Sequence, residues 1–192
     1  LTLFLGGETV LSLTAATTFL MVHALYKAAL FLAVGSIDHQ TGTRDLDHLG
    51  GLLKYMPLTA VAVAAATMSM AGFPLFFGFI GKEIMYEGAL AEQMFPVFAT
   101  GAALVSNALM TAVAAIILIT PFLKKSSQGI QTVQEAPWTM RLGPTVMGIL
   151  GIIFGIIPEW VSANLIQPAV FSFHPDREDI RLAFFHGINL PL

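Results

Sequence analysis

The stretch from Val10 to Val34 reads VLSLTAATTFLMVHALYKAALFLAV, and its reading decides the fold class. An apolar run of about 25 residues just crosses a bilayer as a helix, and runs this long rarely mean anything else. Lys27 is the only fixed charge in it, and His23 lies one helical turn upstream. A lysine deep in hydrocarbon costs about 2.5–3.5 kcal/mol on insertion scales. A chain that carries one normally turns the ammonium toward a protein or water-filled interior, where it gains and loses a proton. On these residues alone Lys27 reads as part of a proton or ion path. The alternative is a lysine that pairs with a neighbouring helix for packing only.

Composition extends the same reading to the rest of the chain. Hydrophobic residues make up 56% of its 192 residues and charged residues 11%, against about 25% charged in ordinary soluble domains. With a mean hydropathy of +0.77, the chain cannot cover itself with polar surface and belongs in a bilayer. The expected class is an all-α polytopic membrane protein, because backbone groups in lipid must be satisfied within their own segment. Alternating barrel-type strands are absent. A net charge of −3 leaves no basic stripe, which argues against a nucleic-acid partner. With no cysteine, disulfides, thiolate metal sites and Fe–S ligation are excluded. No cofactor is expected on this chain, and any redox chemistry must lie on another subunit.

Four spans can be drawn outward from the first. They cover about 10–37, 57–87, 96–121 and 142–158, with Pro57 a good first helical residue for the second. Polar segments occupy 38–56 and 124–137, a short joint lies near 88–95, residues 159–171 read as interfacial, and HPDREDIR at 174–181 reads as a solvated loop. The chain starts with LTLFLGG, which reads as the tail of a preceding span, and ends in apolar HGINLPL, where another could begin. An internal piece of a longer membrane protein is expected. Lys and Arg counts favour a cytoplasmic side for 38–56 and 122–141, which hold Arg44, Lys54, Lys124, Lys125 and Arg141. On the other side stand Arg177 and Arg181.

Several polar residues stand out against this background. At 100° per residue, Thr9, Ser12, His23, Lys27 and Asp38 fall on one stripe of the first span. His23 and Lys27 at i, i+4 are neighbours, as a proton relay requires. The plainer reading of His23 is a ring bonded to a backbone carbonyl on an adjacent helix. Asp38 reads more simply as part of the polar helix end. No second histidine lies in a span, so a bis-imidazole haem site is not expected. In the second span, AGFPLFFGFIGKE places Gly72, Pro74, Gly78 and Gly81 in an apolar run. Pro74 is expected to clash with the carbonyl of Met70 and free backbone groups at membrane depth. Such breaks survive inside protein or beside water, and transporters use them to line ion sites. Lys82 comes next, with Glu83 and Glu87. It is either a site residue or a lysine snorkelling at the end of the span. Asn107 in the third span reads first as a cross-helix hydrogen bond, with an accessory role behind it. The loop GTRDLDHLGG reads as solvated and locally paired, not as a metal site.

Two blocks then carry a resemblance. HALYKAALFLAVGSIDHQTGTRDLDHLGGL (23–52) and MPLTAVAVAAATMSMAGFPLFFGFIGKE (56–83) together resemble the antiporter-like membrane subunits. These include the large A subunit of Mrp-type multisubunit Na⁺/H⁺ antiporters and the proton-pumping membrane subunits of respiratory complex I. The segment IDHQTGTRDL, and the terminal LAFFHGINLPL, look closer to the Mrp A subunit. The resemblance implies an inverted-repeat helical fold in which each repeat has a discontinuous helix. Residues 1–121 would be the end of the second repeat, and 122–192 a further span with interfacial and loop segments. It further implies that Lys27 is the central lysine of a relay, His23 its neighbour, and Lys82 the lysine at the break, with Glu83, Asp38 and Asn107 as accessory candidates. The implied function is monovalent cation (Na⁺)/proton antiport without enzyme chemistry, in the cell inner (plasma) membrane, alongside other antiporter subunits. The first repeat's glutamate–lysine pair is not in this sequence. Two rivals stand beside this reading. One is a proton-pumping membrane subunit of complex I or a membrane-bound hydrogenase; the other is a structural membrane scaffold.

Overall fold

A computed structural model describes residues 9–91, 96–125 and 133–173, and the chain there is helical, with no strand among the described residues. The elements are α1 (Val10–Thr41), a 3₁₀ turn (Leu52–Lys54), α2 (Pro57–Ala71), α3 (Phe77–Leu90), α4 (Pro96–Phe122), α5 (Trp138–Ile156), α6 (Pro158–Val161), a π-helical turn (Ser162–Ile166) and α7 (Gln167–Phe171). The LTLFLGG segment, part of the 88–95 joint, residues 126–132, and the segment from 174 onward with Arg177 and Arg181 lie outside the described residues.

Three helices are long and apolar enough to cross a membrane: α1, α4 and α5. The protein is a multi-pass membrane protein. At 32 residues α1 is roughly 48 Å long, well over the hydrocarbon thickness, so its last turns reach beyond it. Its ends have identifiable causes. The Thr9 hydroxyl accepts from the Ser12 backbone N–H at 3.1 Å, and Gly42, left-handed at φ 70°, closes the helix by donating to the Asp38 carbonyl. Past that cap the loop is paired locally, as its alternating charges suggested. Arg44 holds Asp38 at 2.7 Å, and Asp45 holds His48 at 3.1 Å.

The span drawn over 57–87 is two helices, α2 and α3, and the break differs in detail from the sequence-based expectation. Pro74 does not clash with the Met70 carbonyl, because α2 has already ended at Ala71. Gly72 takes φ 77°, its N–H reaches the Ser69 carbonyl at 3.0 Å, and the Phe73 N–H reaches the Met68 carbonyl at 2.9 Å. These paired bonds close a helix at a left-handed glycine. Phe73–Phe76 then form a turn with Pro74 second and Leu75 third, at φ 76°, a strained conformation for a branched residue. The glycine therefore ends the helix, and the proline sits in the connecting turn.

Helix α5 lies against α1, α2 and α3 through a seam of small residues. Pro144, Gly148, Gly151 and Gly155 are its buried residues. A Cβ at Gly148 would touch the Ala65 Cβ at 3.4 Å, and one at Gly155 would lie 2.3 Å from the Leu75 carbonyl oxygen. In a membrane, where lipid is as apolar as leucine, such close backbone approach is what drives helix association. The seam presses α5 onto the break. Ser69 and Gly78 meet in the same way, since a Cβ at Gly78 would overlap the Ser69 carbonyl oxygen at 1.7 Å. By contrast α4 turns most of its apolar side chains outward, among them Val97, Phe98, Leu104, Val105 and Leu109.

Candidate functional site

The break creates the site. Helix dipoles direct the negative end of α2 and the positive end of α3 at the Gly72–Phe76 turn. Lys82 lies on the second turn of α3, and side chains on a helix lean back toward its N-terminus. Its stem accordingly folds over Gly72. A Cβ at Gly72 would lie 2.6 Å from Lys82 Cδ and 3.2 Å from Nζ. The ammonium thus rests at the carbonyl end of α2, where a cation gains up to about 2 kcal/mol when partly buried. Lys82 is buried, 9% exposed, and does not reach out along the helix as a snorkelling lysine would.

Beside it is a cavity of about 680 Å³ between the end of α2, α3 and α4, lined by Gly72, Lys82, Glu83, Tyr86, Asn107 and Thr111 among others. Four of the lining residues arise from one helix face, since Phe79, Lys82, Glu83 and Tyr86 recur at helical spacing on α3. Asn107 comes from α4. Its Nδ2 donates to the Tyr86 hydroxyl across the helix pair, and its backbone carbonyl accepts from Thr111 Oγ1 at 2.8 Å. The cross-helix bond expected for Asn107 is present. Lys82, Glu83 and Asn107 are brought together.

The α1 residues form a separate group. His23 and Lys27 are half-buried on one side of α1. His23 Nδ1 and the buried Tyr26 hydroxyl share a hydrogen bond at 2.8 Å, with the two rings edge to face. Lys27 Nζ stands 6.0 Å from the centre of the Phe31 ring, at the outer limit of a cation–π contact. No hydrogen bond among the described residues joins Lys27 to His23 or to Lys82. The two groups are at similar height, because a Cβ at Gly81 would meet Val22 at 2.9 Å. Asp38 belongs to neither group. It pairs with exposed Arg44, whose guanidinium is held above its usual range by the hydrogen bond and charge of that carboxylate. No cluster of three metal-ligating side chains occurs among the described residues.

Two tyrosines were missed in the sequence. Tyr86 stands four residues after Lys82 and Tyr26 three after His23, so helical spacing already placed each on its partner's face. What the sequence lacked was the α4 partner that gives Tyr86 its meaning.

Comparisons with known proteins bear on the family and the fold. Residues 1–111 match the family described as NADH:quinone oxidoreductase/Mrp antiporter, transmembrane. A "Putative antiporter subunit mnhA2" of Staphylococcus saprophyticus is 32% identical over 94% of this chain and 24% of its own length. A "Na(+)/H(+) antiporter subunit A1" of Staphylococcus aureus strain Newman is 33% identical over 92% of this chain and 23% of its own. The chain thus spans about a quarter of the length of these relatives. Among solved structures, the Mrp complex from Dietzia sp. DQ12-45-1b superposes with a TM-score of 0.70 at 28% identity, covering 94% of this chain and 20% of that one. The archaeal membrane-bound sulfane sulfur reductase superposes with 0.74 at 29% identity, covering 84% of this chain and 26% of that one. On the breadth of the family match and the antiporter-like fold, the chain belongs to the NADH:quinone oxidoreductase/Mrp antiporter transmembrane family.

Proposed function

We propose that this chain is a portion of the A subunit of a Mrp-type monovalent cation/proton antiporter, and that it passes protons across the membrane through Lys82 and the Lys27–His23 pair. The observation that carries this reading is the buried Lys82, folded over the carbonyl end of α2 beside a cavity with room for water. A lysine so placed borders an open space with room for water, with which it can exchange a proton, and a packing lysine does not need one. Na⁺ movement is coupled to this proton path in a complex with the other antiporter subunits. The protein acts as a transporter subunit and not as an enzyme. Residues 1–121 form the end of the second antiporter-like repeat and 122–192 a further span beyond it, with the 38–56 and 122–141 loops on the cytoplasmic side. The test is Lys82→Ala in the complete complex, assayed as ΔpH-driven antiport in everted vesicles at matched subunit content. Antiport should be lost while assembly is normal; wild-type transport would return Lys82 to a packing role.

One observation favours a second reading. The superposition on a respiratory membrane complex is as good as that on the Mrp complex. In that reading the same lysines carry protons driven by redox chemistry on other subunits. Co-purifying subunits separate the two: antiporter subunits in one case, quinone-reactive and Fe–S subunits in the other.

A further inference from the structure

A second cavity, of about 370 Å³, lies between α2 and α5 and shares no lining residue with the one beside Lys82. Its floor is the close contact of the two helices, where a Cβ at Gly148 would touch the Ala65 Cβ at 3.4 Å. Val61 and Ile149 stand exposed along it. Helices that meet through glycine and alanine leave such a furrow beside the contact, open to lipid. From Trp138 to Ile152 the furrow follows about 21 Å of helix at 1.5 Å per residue. One leaflet contributes only about half of a hydrocarbon core of about 30 Å, so the furrow crosses a whole leaflet. Spread along that length, 370 Å³ gives a cross-section of about 18 Å². A helix about 10–12 Å across needs roughly 80–110 Å². A single methylene chain, with neighbours about 4 Å away on each side, needs roughly 16 Å². The furrow has the width of an acyl chain.

Its two ends differ in chemistry. Thr145 is the one polar side chain on the walls below Arg141, whereas the upper end holds Arg141 and exposed Trp138 in the first turn of α5. Among the described residues no hydrogen bond or ion pair holds Arg141. The first turn of α5 has no acidic residue. The carboxylate of Glu135 spends one oxygen on the Leu58 N–H and the other on the Thr59 hydroxyl. Of the three guanidinium nitrogens only Nε is shut away without a partner, so the Nη pair is the end that can meet a ligand. An arginine fork matches phosphate oxygens two at a time, and a tryptophan sits well at the level of the headgroups. A cation without a counter-charge above an apolar furrow one chain wide fits a molecule with an anionic head and an aliphatic tail. We propose that the groove between α2 and α5 binds an anionic phospholipid, with its phosphate on Arg141, its glycerol level with Trp138, and one acyl chain lying along Val61 and Ile149 toward Ile152.

The test uses the complete complex in detergent and phosphatidylglycerol with a photoreactive diazirine on one acyl chain, the labelled peptides being read by mass spectrometry. Label should concentrate on residues 58–65 and 142–152, and at lower probe concentration than with the same chain on phosphatidylcholine. Arg141→Gln removes the charge and should raise the concentration for half-labelling at least about tenfold, the factor that hydrogen bonds to a charged group typically supply. Val61→Trp fills the furrow and should remove the label with Arg141 still in place. A helix packed over this face, from a longer chain or from another subunit, would leave both segments unlabelled in the wild-type complex, and that result overturns the proposal. Equal labelling by the two headgroups, or unchanged labelling of Arg141→Gln, would show an unselective lipid shell and overturns it as well. Should Arg141→Gln fail to assemble, the headgroup comparison on the wild-type complex decides together with Val61→Trp.

Discussion

Gly72→Ala isolates what the helix break does for Lys82. The substitution has two effects of different kind. Alanine at φ 77° carries a backbone cost of roughly 1–2 kcal/mol. Its Cβ would also lie 2.6 Å from Lys82 Cδ and 3.2 Å from Nζ, where carbon contacts settle at about 3.5–4.0 Å, so the stem must move by about 1 Å. A lysine stem yields easily, and the clash adds little to the stability loss. The ammonium, however, leaves the carbonyl end of α2, and misplacing a reacting group by about 1 Å can lower a rate by about 10²-fold. Gly42→Ala supplies the control. Gly42 has φ 70° with nothing within 4 Å of its would-be Cβ, so it carries the same backbone cost without displacing a side chain. The assay is antiport in everted vesicles holding the full complex, together with its melting in detergent. Both variants should melt lower by a similar amount, and only Gly72→Ala should lose transport, by at least about tenfold. Equal transport by the two would show that the position of Lys82 over Gly72 does not matter.

Other outcomes rest on the same geometry. Lys27→Arg and Lys27→Ala are both expected to lose antiport, because a guanidinium keeps its charge but does not release its proton; full activity of the Arg variant would refute proton carriage by Lys27. Gly155→Ala drives a Cβ to 2.3 Å from the Leu75 carbonyl and 2.7 Å from the Phe77 nitrogen, backbone atoms that cannot swing aside. Overpacking of this kind costs about 1–3 kcal/mol, so the complex should melt clearly lower, whereas Gly101→Ala, with nothing within 4 Å, should not. Equal melting of those two variants would contradict the seam. A cysteine at position 42 (Gly42→Cys) should react with an impermeant thiol reagent only from the cytoplasmic side; reaction in sealed cells from outside would reverse the topology.

Much of this was legible in the residues themselves, and for local reasons. Val10–Val34 announced a crossing helix, because apolar length against bilayer thickness needs no tertiary context. Helical spacing placed His23 beside Lys27 and put Lys82 just past a run broken by glycine and proline. The charges of 38–56 predicted a loop paired with itself, because Asp38 with Arg44 and Asp45 with His48 are close in sequence. Local rules also erred where two of them competed. Pro74 was expected to disrupt a helix that Gly72 had already ended, since a left-handed glycine satisfies the last carbonyls before the proline is reached.

What only the packed chain decided involves partners far apart in sequence. Nothing local says that Glu135 would cap α2, yet its carboxylate accepts from the Leu58 N–H at 2.8 Å and from the Thr59 hydroxyl at 2.6 Å. Such a carboxylate stabilises the positive end of a helix wherever the chain delivers it. Nor could spacing show that Gly155 presses on the turn at Leu75, or that Asn107 reaches Tyr86 at the side of the cavity beside Lys82. Helical periodicity tells which residues share a face, because that is set by the geometry of one helix. Which face meets which depends on how small residues on separate helices let their backbones approach, and only the assembled bundle contains that information.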